Sequence, residues 1–243
     1  MSPRCDAFFL RRGFERCPGV IVPDNPPKIG VIFDVDGVLV DSYAAHFESW
    51  RALAVELGAQ LSEEQFAGTF GRTSRDIISQ LFGARDAVEV RRLDDRKESL
   101  YRQSIRGRVP AMPGALECVR ACHLAGFVVA VGSSGPPENV QLVCDEIGLT
   151  SLLAAMVTGR DVVRGKPDPQ VFQLAAERMQ LAASDCIVIE DAPAGIEAAV
   201  RAGMRSIGFA GSHPSDSLRK SDRVISRLTD LTPDLIRMVF ARR

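Results

Sequence analysis

The feature that most limits what this chain can fold into is a repeated one. Short apolar runs each break off at a cluster of polar residues. Gly30-Val31-Ile32-Phe33 ends at Asp34-Val35-Asp36-Gly37. Phe127-Val128-Val129-Ala130-Val131 runs into Gly132-Ser133-Ser134-Gly135, and Cys186-Ile187-Val188-Ile189 stops at Glu190-Asp191. Runs this short, rich in β-branched residues and bounded by turn formers, read as buried strands. Ala155-Met156-Val157 and Arg205–Phe209 read as further strands, with Val224-Ile225 as an edge strand. Between them lie helical stretches. Residues 114–125 are stopped by Gly126, and a second stretch covers roughly 137–146. A third spans Pro169–Met179, with Asp168 as N-cap and Pro169 as first helical residue; a fourth spans Ile196–Ala202, closed by Gly203. Alternating strands and helices predict an α/β fold: a doubly wound, Rossmann-like parallel sheet with helices on both faces. In such sheets ligands bind beyond the strand ends, where the polar clusters fall.

Residues from about 42 to 106 follow another rule. They are helical by period and contain no strand. Phe47, Trp50, Leu53 and Leu57 form one apolar helix face, and Gly58 ends that helix. Further helices are expected around Glu63–Phe70, Ser74–Phe82 and Ala87–Ser104. The expected organisation is therefore a tail over 1–27, an α/β core over 28–42 and 107–243, and an all-helical insert over 43–106. The tail ends in a proline-rich linker, Val22-Pro23-Asp24-Asn25-Pro26-Pro27.

Charge narrows the partners. The formal net charge is -1 and no long run of one sign occurs, which argues against nucleic acid and membrane surfaces. Clusters such as Arg91-Arg92 and Arg96-Lys97 read as solvated helix faces. No apolar run reaches the ~20 residues of a membrane span. Phe8-Phe9-Leu10 precedes Arg11-Arg12, the wrong order for a signal peptide. Six cysteines occur without a CxxC pair, and Cys118 and Cys122 lack the partners of a zinc site. That usage suits a reducing compartment, so a cytoplasmic protein is expected. A monomer is expected, with a dimer left open.

Four polar clusters follow apolar runs or precede a helix: Asp34/Asp36, Ser133/Ser134, Lys166 and Glu190/Asp191. Each has a plain reading. Asp-x-Asp-Gly is common in turns, and Ser133-Ser134 or Glu190-Asp191 can cap helices. A loop lysine is usually solvated. Together they carry more. If the strands are neighbours, carboxylates converge and repel, so a cation must sit among them. Oxygen ligands without His or Cys favour a hard ion such as Mg2+. Such an ion beside a lysine and hydroxyls is an arrangement for handling phosphoryl groups.

In order and spacing, these residues resemble the four motifs of the haloacid dehalogenase-like (HAD) superfamily. Phe33-Asp34-Val35-Asp36-Gly37-Val38-Leu39-Val40-Asp41-Ser42 is similar to its first motif. Ser133 matches the second, Lys166 in Gly165-Lys166-Pro167-Asp168-Pro169 the third, and Glu190-Asp191 the fourth. The likeness covers residues 28 to about 230 and is strongest to the β-phosphoglucomutase-like phosphatase group, whose helical cap the insert resembles. The resemblance implies Asp34 as nucleophile and Asp36 as general acid and base. It implies Mg2+ on the Asp34 carboxylate, the Asp36 carbonyl and Asp191, with Glu190 in support. It also implies that Ser133 and the Ser134 amide hold phosphoryl oxygens, and that Lys166 neutralises charge. The second aspartate sets the chain apart from the dehalogenase branch.

The cap residues implied to meet the substrate are His46, Trp50, Arg72, Thr73, Arg75 and Lys97. Trp50 also reads as core, His46 as an ordinary first-turn residue and Lys97 as helix surface. The mutase pattern sets an arginine three residues after the glycine of Gly71-Arg72-Thr73-Ser74-Arg75; here that place is Ser74. The expectation is therefore a phosphatase for a small phosphorylated sugar or related metabolite, with a hexose-phosphate mutase as the alternative. A catalytically idle binding protein would not need the full motif set, and a receiver domain would lack Asp36 and the cap.

Overall fold

The computed structural model describes residues 28–69 and 74–241. Six strands form one parallel sheet: β1 (Gly30–Phe33), β2 (Val128–Gly132), β3 (Ala155–Val157), β4 (Cys186–Glu190), β5 (Arg205–Phe209) and β6 (Arg223–Ile225). Their spatial order is β3-β2-β1-β4-β5-β6, the doubly wound order. β1 lies between β2 and β4, with Phe33 level with Val131 on one side and Ile189 on the other. The winding reverses between β1 and β4, so the rim there is the topological switch point.

One sheet face is covered by α5 (Ala115–Leu124), α6 (Pro137–Ile147) and α9 (Pro233–Ala241). The other is covered by α7 (Gln170–Arg178) and α8 (Pro193–Arg201). β1 alternates between them: Val31 and Phe33 enter one cluster and Ile32 the other. Burial on both faces is why its sequence is a continuous apolar run.

The inserted helices are α1 (Tyr43–Glu56), α2 (Glu63–Ala67), α3 (Ser74–Phe82) and α4 (Ala87–Ile105). They have an apolar cluster of their own, built on Trp50, Leu53, Phe66, Ile78 and Leu93. Burying side chains of this kind contributes about 2 kcal/mol each. The last turns of α4 leave that cluster, and Tyr101 and Ile105 pack with the sheet-side core.

Several expectations are corrected. Leu57 is not on the apolar face of α1; it caps that helix and lies exposed. Helix α7 begins at Gln170, with Pro169 as N-cap, because the Asp168 carboxylate accepts the Gln170 N–H from one residue further out. Helix α8 starts at Pro193, three residues earlier than expected. Helix α9 was not foreseen, although Pro233 at its start and Leu235, Ile236, Val239 and Phe240 carried the signal. The expected tail, with Cys5 and Cys17, lies outside the described residues, as do Arg72 and Thr73.

Candidate active site

The loop after β1 decides where its two aspartates go. Asp34 continues the strand direction, its N–H donating to the Ile189 carbonyl at 2.9 Å. The chain then coils tightly. Leu39 and Val40 N–H groups donate to the Val35 carbonyl, and Gly37 N–H donates to that of Val40. Val35, Val38, Leu39 and Val40 bury their side chains, which fixes the coil and turns Asp36 toward the cap. Gly37 has φ +81°, and a Cβ there would overlap the Asp191 carboxylate. Glycine is therefore required on two counts.

Neighbouring strands bring the remaining groups level. Asp34, Glu190 and Asp191 are all buried, and their carboxylate oxygens lie within 4.8 Å of one another. Lys166 comes from the loop between β3 and α7. Its Nζ pairs with Asp34 Oδ1 and lies 2.8 Å from Glu190 Oε1. Glu190 Oε2 also accepts the Ala192 N–H at 2.6 Å, but Ala192 is itself the N-cap of α8 and no side chain caps that helix, so the capping reading of Glu190-Asp191 does not hold. A Cβ on Gly195 would overlap the Glu190 carboxylate, which rests directly on α8.

Ser133 is buried at the end of β2, and its Oγ accepts the Gly135 N–H at 2.9 Å. Pro136, not a serine, is the N-cap of α6, so the capping reading of Ser133-Ser134 does not hold. Ser134 is exposed at the rim. Asp161 steadies the loop that carries Lys166. It accepts from the N–H and hydroxyl of Thr158 and from Arg178.

Three carboxylates around one ammonium leave a surplus of negative charge. Burial pushes the Asp34 carboxyl well above the usual range; Lys166 pulls it down, and Glu190, Asp191 and Asp36 push it further up. Burial and Glu190 raise Asp191 to about 6. Lys166 is raised despite burial, because Asp34 and Glu190 favour its charged form. A site with unmet negative charge and oxygen donors alone is the chemistry of a hard divalent cation. The residues therefore fit a metal.

Of the rim carboxylates Asp36 is the most open, with its side chain 38 % exposed. Its surroundings alone would raise its pKa. Hydrogen bonds from His46 and Ser42 and the nearby Lys97 charge outweigh that, and the carboxyl sits below the usual range. His46 Nε2 lies 3.4 Å from Asp36 Oδ1, so the cap reaches the rim at this carboxylate.

The other cap residues are distributed differently. Trp50 is 2 % exposed and belongs to the cap's apolar cluster. Lys97 is not on a solvated face: it is 4 % exposed, with Nζ 2.9 Å from His46 Nδ1 and 2.8 Å from Glu98 Oε1. Arg75 lies exposed on α3. Ser42, Glu98 and Asn139 were not foreseen, nor were Ser212 and His213, which face Asp191. Gly211-Ser212-His213 follows β5 as a polar cluster, so the strand-end rule could have found the last two.

A doubly wound sheet with buried carboxylates, a lysine and a serine at its switch point defines a class: proteins that handle phosphoryl groups on a metal-competent acidic rim. The particular family follows from comparison. A model of haloacid dehalogenase-like hydrolases matches residues 30–203, and the chain belongs to that family. The relatives that the chain matches include phosphatases and a β-phosphoglucomutase. The chain is 28% identical over 206 residues to validoxylamine A 7'-phosphate phosphatase of Streptomyces hygroscopicus subsp. limoneus, covering 82% of this chain and 94% of that one. It is also 28% identical over 214 residues to β-phosphoglucomutase of Bacillus subtilis, covering 85% and 92%. Among solved structures, a family IA HAD hydrolase from Entamoeba histolytica shares the fold at a TM-score of 0.81. That match has 23% identity and covers 88% of this chain and 100% of that one. Among the described residues no helix is long and apolar enough to cross a membrane.

Proposed function

We propose that this protein is a magnesium-dependent phosphatase for a small phosphorylated sugar or related metabolite, acting through an aspartyl-phosphate on Asp34. One observation carries the reading: Asp34 is buried against Lys166, while Asp36, open and held by His46, faces the same rim. A carboxylate oxygen of Asp34 attacks phosphorus, and the bond from phosphorus to the ester oxygen breaks. The anionic phosphoryl group beside Asp36 raises its pKa, so Asp36 takes up a proton from solvent as the ester binds and gives it to that oxygen. Asp36 then takes a proton from water, whose oxygen attacks phosphorus and breaks the bond to Asp34. Phosphate leaves and both carboxyls return to their starting states. Ser133 and the Ser134 amide orient phosphoryl oxygens, and Lys166 offsets their charge as it moves. Asp34, Asp191 and the Asp36 carbonyl would hold Mg2+, with Glu190 in support; when bound, it supplies charge stabilisation to the phosphoryl oxygens.

The insert over 43–106 would act as the cap that covers the rim and sets specificity. Its separate apolar cluster supports that division. A hexose-phosphate mutase would share the whole rim, and equal identity to a phosphatase and a mutase does not separate the two. Lys97 favours the phosphatase. Buried and bonded to His46 and Glu98, it is not free to take a second phosphate.

The test is phosphate release from glucose 1-phosphate, glucose 6-phosphate and fructose 1-phosphate with Mg2+. It is run beside a coupled assay for glucose 1-phosphate isomerisation. Release without isomerisation is expected. Isomerisation that requires a trace of glucose 1,6-bisphosphate would make the protein a mutase.

A further inference from the structure

A line of side chains leaves Asp36, crosses the cap and returns to the core. It passes through His46 on α1 to Lys97 and Glu98 on α4. Glu98 Oε2 accepts from Asn139 Nδ2 at 2.6 Å, and Asn139 Oδ1 accepts from Arg102 Nη1 at 2.7 Å. Asn139 stands in the first turn of α6, the core helix that follows Ser133 and Ser134. It is 6 % exposed, and the Glu98 side chain 15 %. Both ends of the line therefore belong to the core, and everything between belongs to the cap.

Groups buried this far are costly unless paired, and here the pairing depends on docking. Glu98 and Arg102 are four apart on α4 and could pair with each other alone. Asn139 stands between them, with its amide N–H on the carboxylate and its carbonyl on the guanidinium. An asparagine offers both a donor and an acceptor, so one residue of α6 satisfies two of α4. Held this way, Glu98 keeps its other oxygen on Lys97. The Lys97 ammonium has only donors, so His46 Nδ1 must accept, which leaves the ring proton on Nε2, facing Asp36. The ring plane is fixed by stacking on Tyr101, with centroids 4.3 Å apart and 14° between planes.

We propose that Asn139 is a positioning residue for the acid/base carboxylate: docked against α4, it holds Glu98 on Lys97 and so keeps the His46 Nε2–H aimed at Asp36. Proton transfer at Asp36 is thereby tied to the seating of α4 on α6. This rests on Asp36 being the acid and base, as proposed above.

The variants are Asn139→Leu, which removes both hydrogen bonds at similar size, and Asn139→Asp, which keeps the Arg102 partner but repels Glu98. Two substrates separate positioning from structure. Fructose 1-phosphate releases an alkoxide that needs a proton, whereas 4-nitrophenyl phosphate releases a phenolate that does not. Because a general acid contributes on the order of 10²–10⁴, a misaligned one should lower kcat/KM for fructose 1-phosphate about tenfold or more and for 4-nitrophenyl phosphate less than about twofold. Equal losses on both esters would mean that Asn139 only supports the fold, and would overturn the proposal.

A second readout does not need turnover. The chain has three histidines, His46, His123 and His213, so imidazole nitrogen–proton correlation spectra of the full chain resolve each ring. His46 should show the Nε2–H tautomer and lose it in both variants, while the other two stay unchanged. An unaltered His46 ring in both variants would overturn the proposal. If neither ester is hydrolysed by the unaltered protein, the phosphatase reading fails and the imidazole spectra alone decide the clasp.

Discussion

At the sheet rim, backbone does the positioning; in the cap facing it, side chains do. Asp34 and Glu190 extend adjacent parallel strands, so the register that pairs Phe33 with Ile189 also sets their separation. Ser133 follows from β2 in the same way, its N–H donating to the Val157 carbonyl at 3.0 Å. Among its described residues the cap has no such ladder. His46, Lys97 and Glu98 come from two helices and reach their places through contacts with each other and with Asn139. A group set by strand register should tolerate little change in its own chemistry. A group set by side-chain contacts should depend on how its helix is seated.

That contrast can be broken at several points, from large effects to small. Asp34→Asn should lower phosphate release by more than about 10³-fold, as loss of a nucleophile does, without unfolding the chain. Substantial residual turnover would remove the nucleophile from Asp34. Gly195→Ala should follow, since the new methyl displaces Glu190, and a shift near 1 Å in a catalytic group can cost about 10²-fold. Normal activity in that variant would show that the Glu190 position is not set by its rest on α8.

Asp161→Asn tests the loop that carries Lys166. Arg178 and Thr158 hold the Asp161 carboxyl at about 2, below the ordinary carboxylate value. A depressed folded-state pKa stabilises the protein at pH values above the unfolded one, ~3.9, and that stabilisation is lost as pH falls through about 2. The variant should be less stable at pH 7, by no more than about 1 kcal/mol because the pair is partly solvated, and the gap should close toward pH 2. A pH-independent gap would assign the effect to packing. The smallest effect on activity is expected for Trp50→Phe. A residue of the cap's apolar cluster should leave kcat/KM for fructose 1-phosphate within about twofold while lowering the melting temperature. A large rise in KM would put the indole against the substrate instead.

The same contrast explains what could be read from sequence. The strands, their order as alternating units, and Asp34, Asp36, Ser133, Lys166, Glu190 and Asp191 all stand beside local signals: an apolar run, an abrupt end, a turn residue. Even the misplaced start of α7 was an error of one residue, made because Asp168 accepts a helix N–H without being the N-cap. The cap's polar line left no such trace. Asn139 sits in an ordinary helix turn, and Glu98 reads as surface in a stretch of charges. Their meeting depends on how α4 docks against α6, a long-range fact with no period. The surface reading of Lys97, which stands beside its implied cap role, fails for the same reason: its neighbours in sequence are charged while its neighbours in space are Trp50, His46 and Tyr101.

The most direct measurement is the covalent state of Asp34 during turnover. Asp36→Asn should still accept a phosphoryl group from 4-nitrophenyl phosphate with Mg2+ present, yet lose it slowly, because water then lacks its base. Rapid acid quench followed by peptide mass spectrometry should find one added phosphoryl group on the peptide that carries Asp34, and none in the Asp34→Asn,Asp36→Asn double variant. Release of nitrophenol with the phosphoryl group found elsewhere, or never found on the protein, would contradict an aspartyl-phosphate at Asp34.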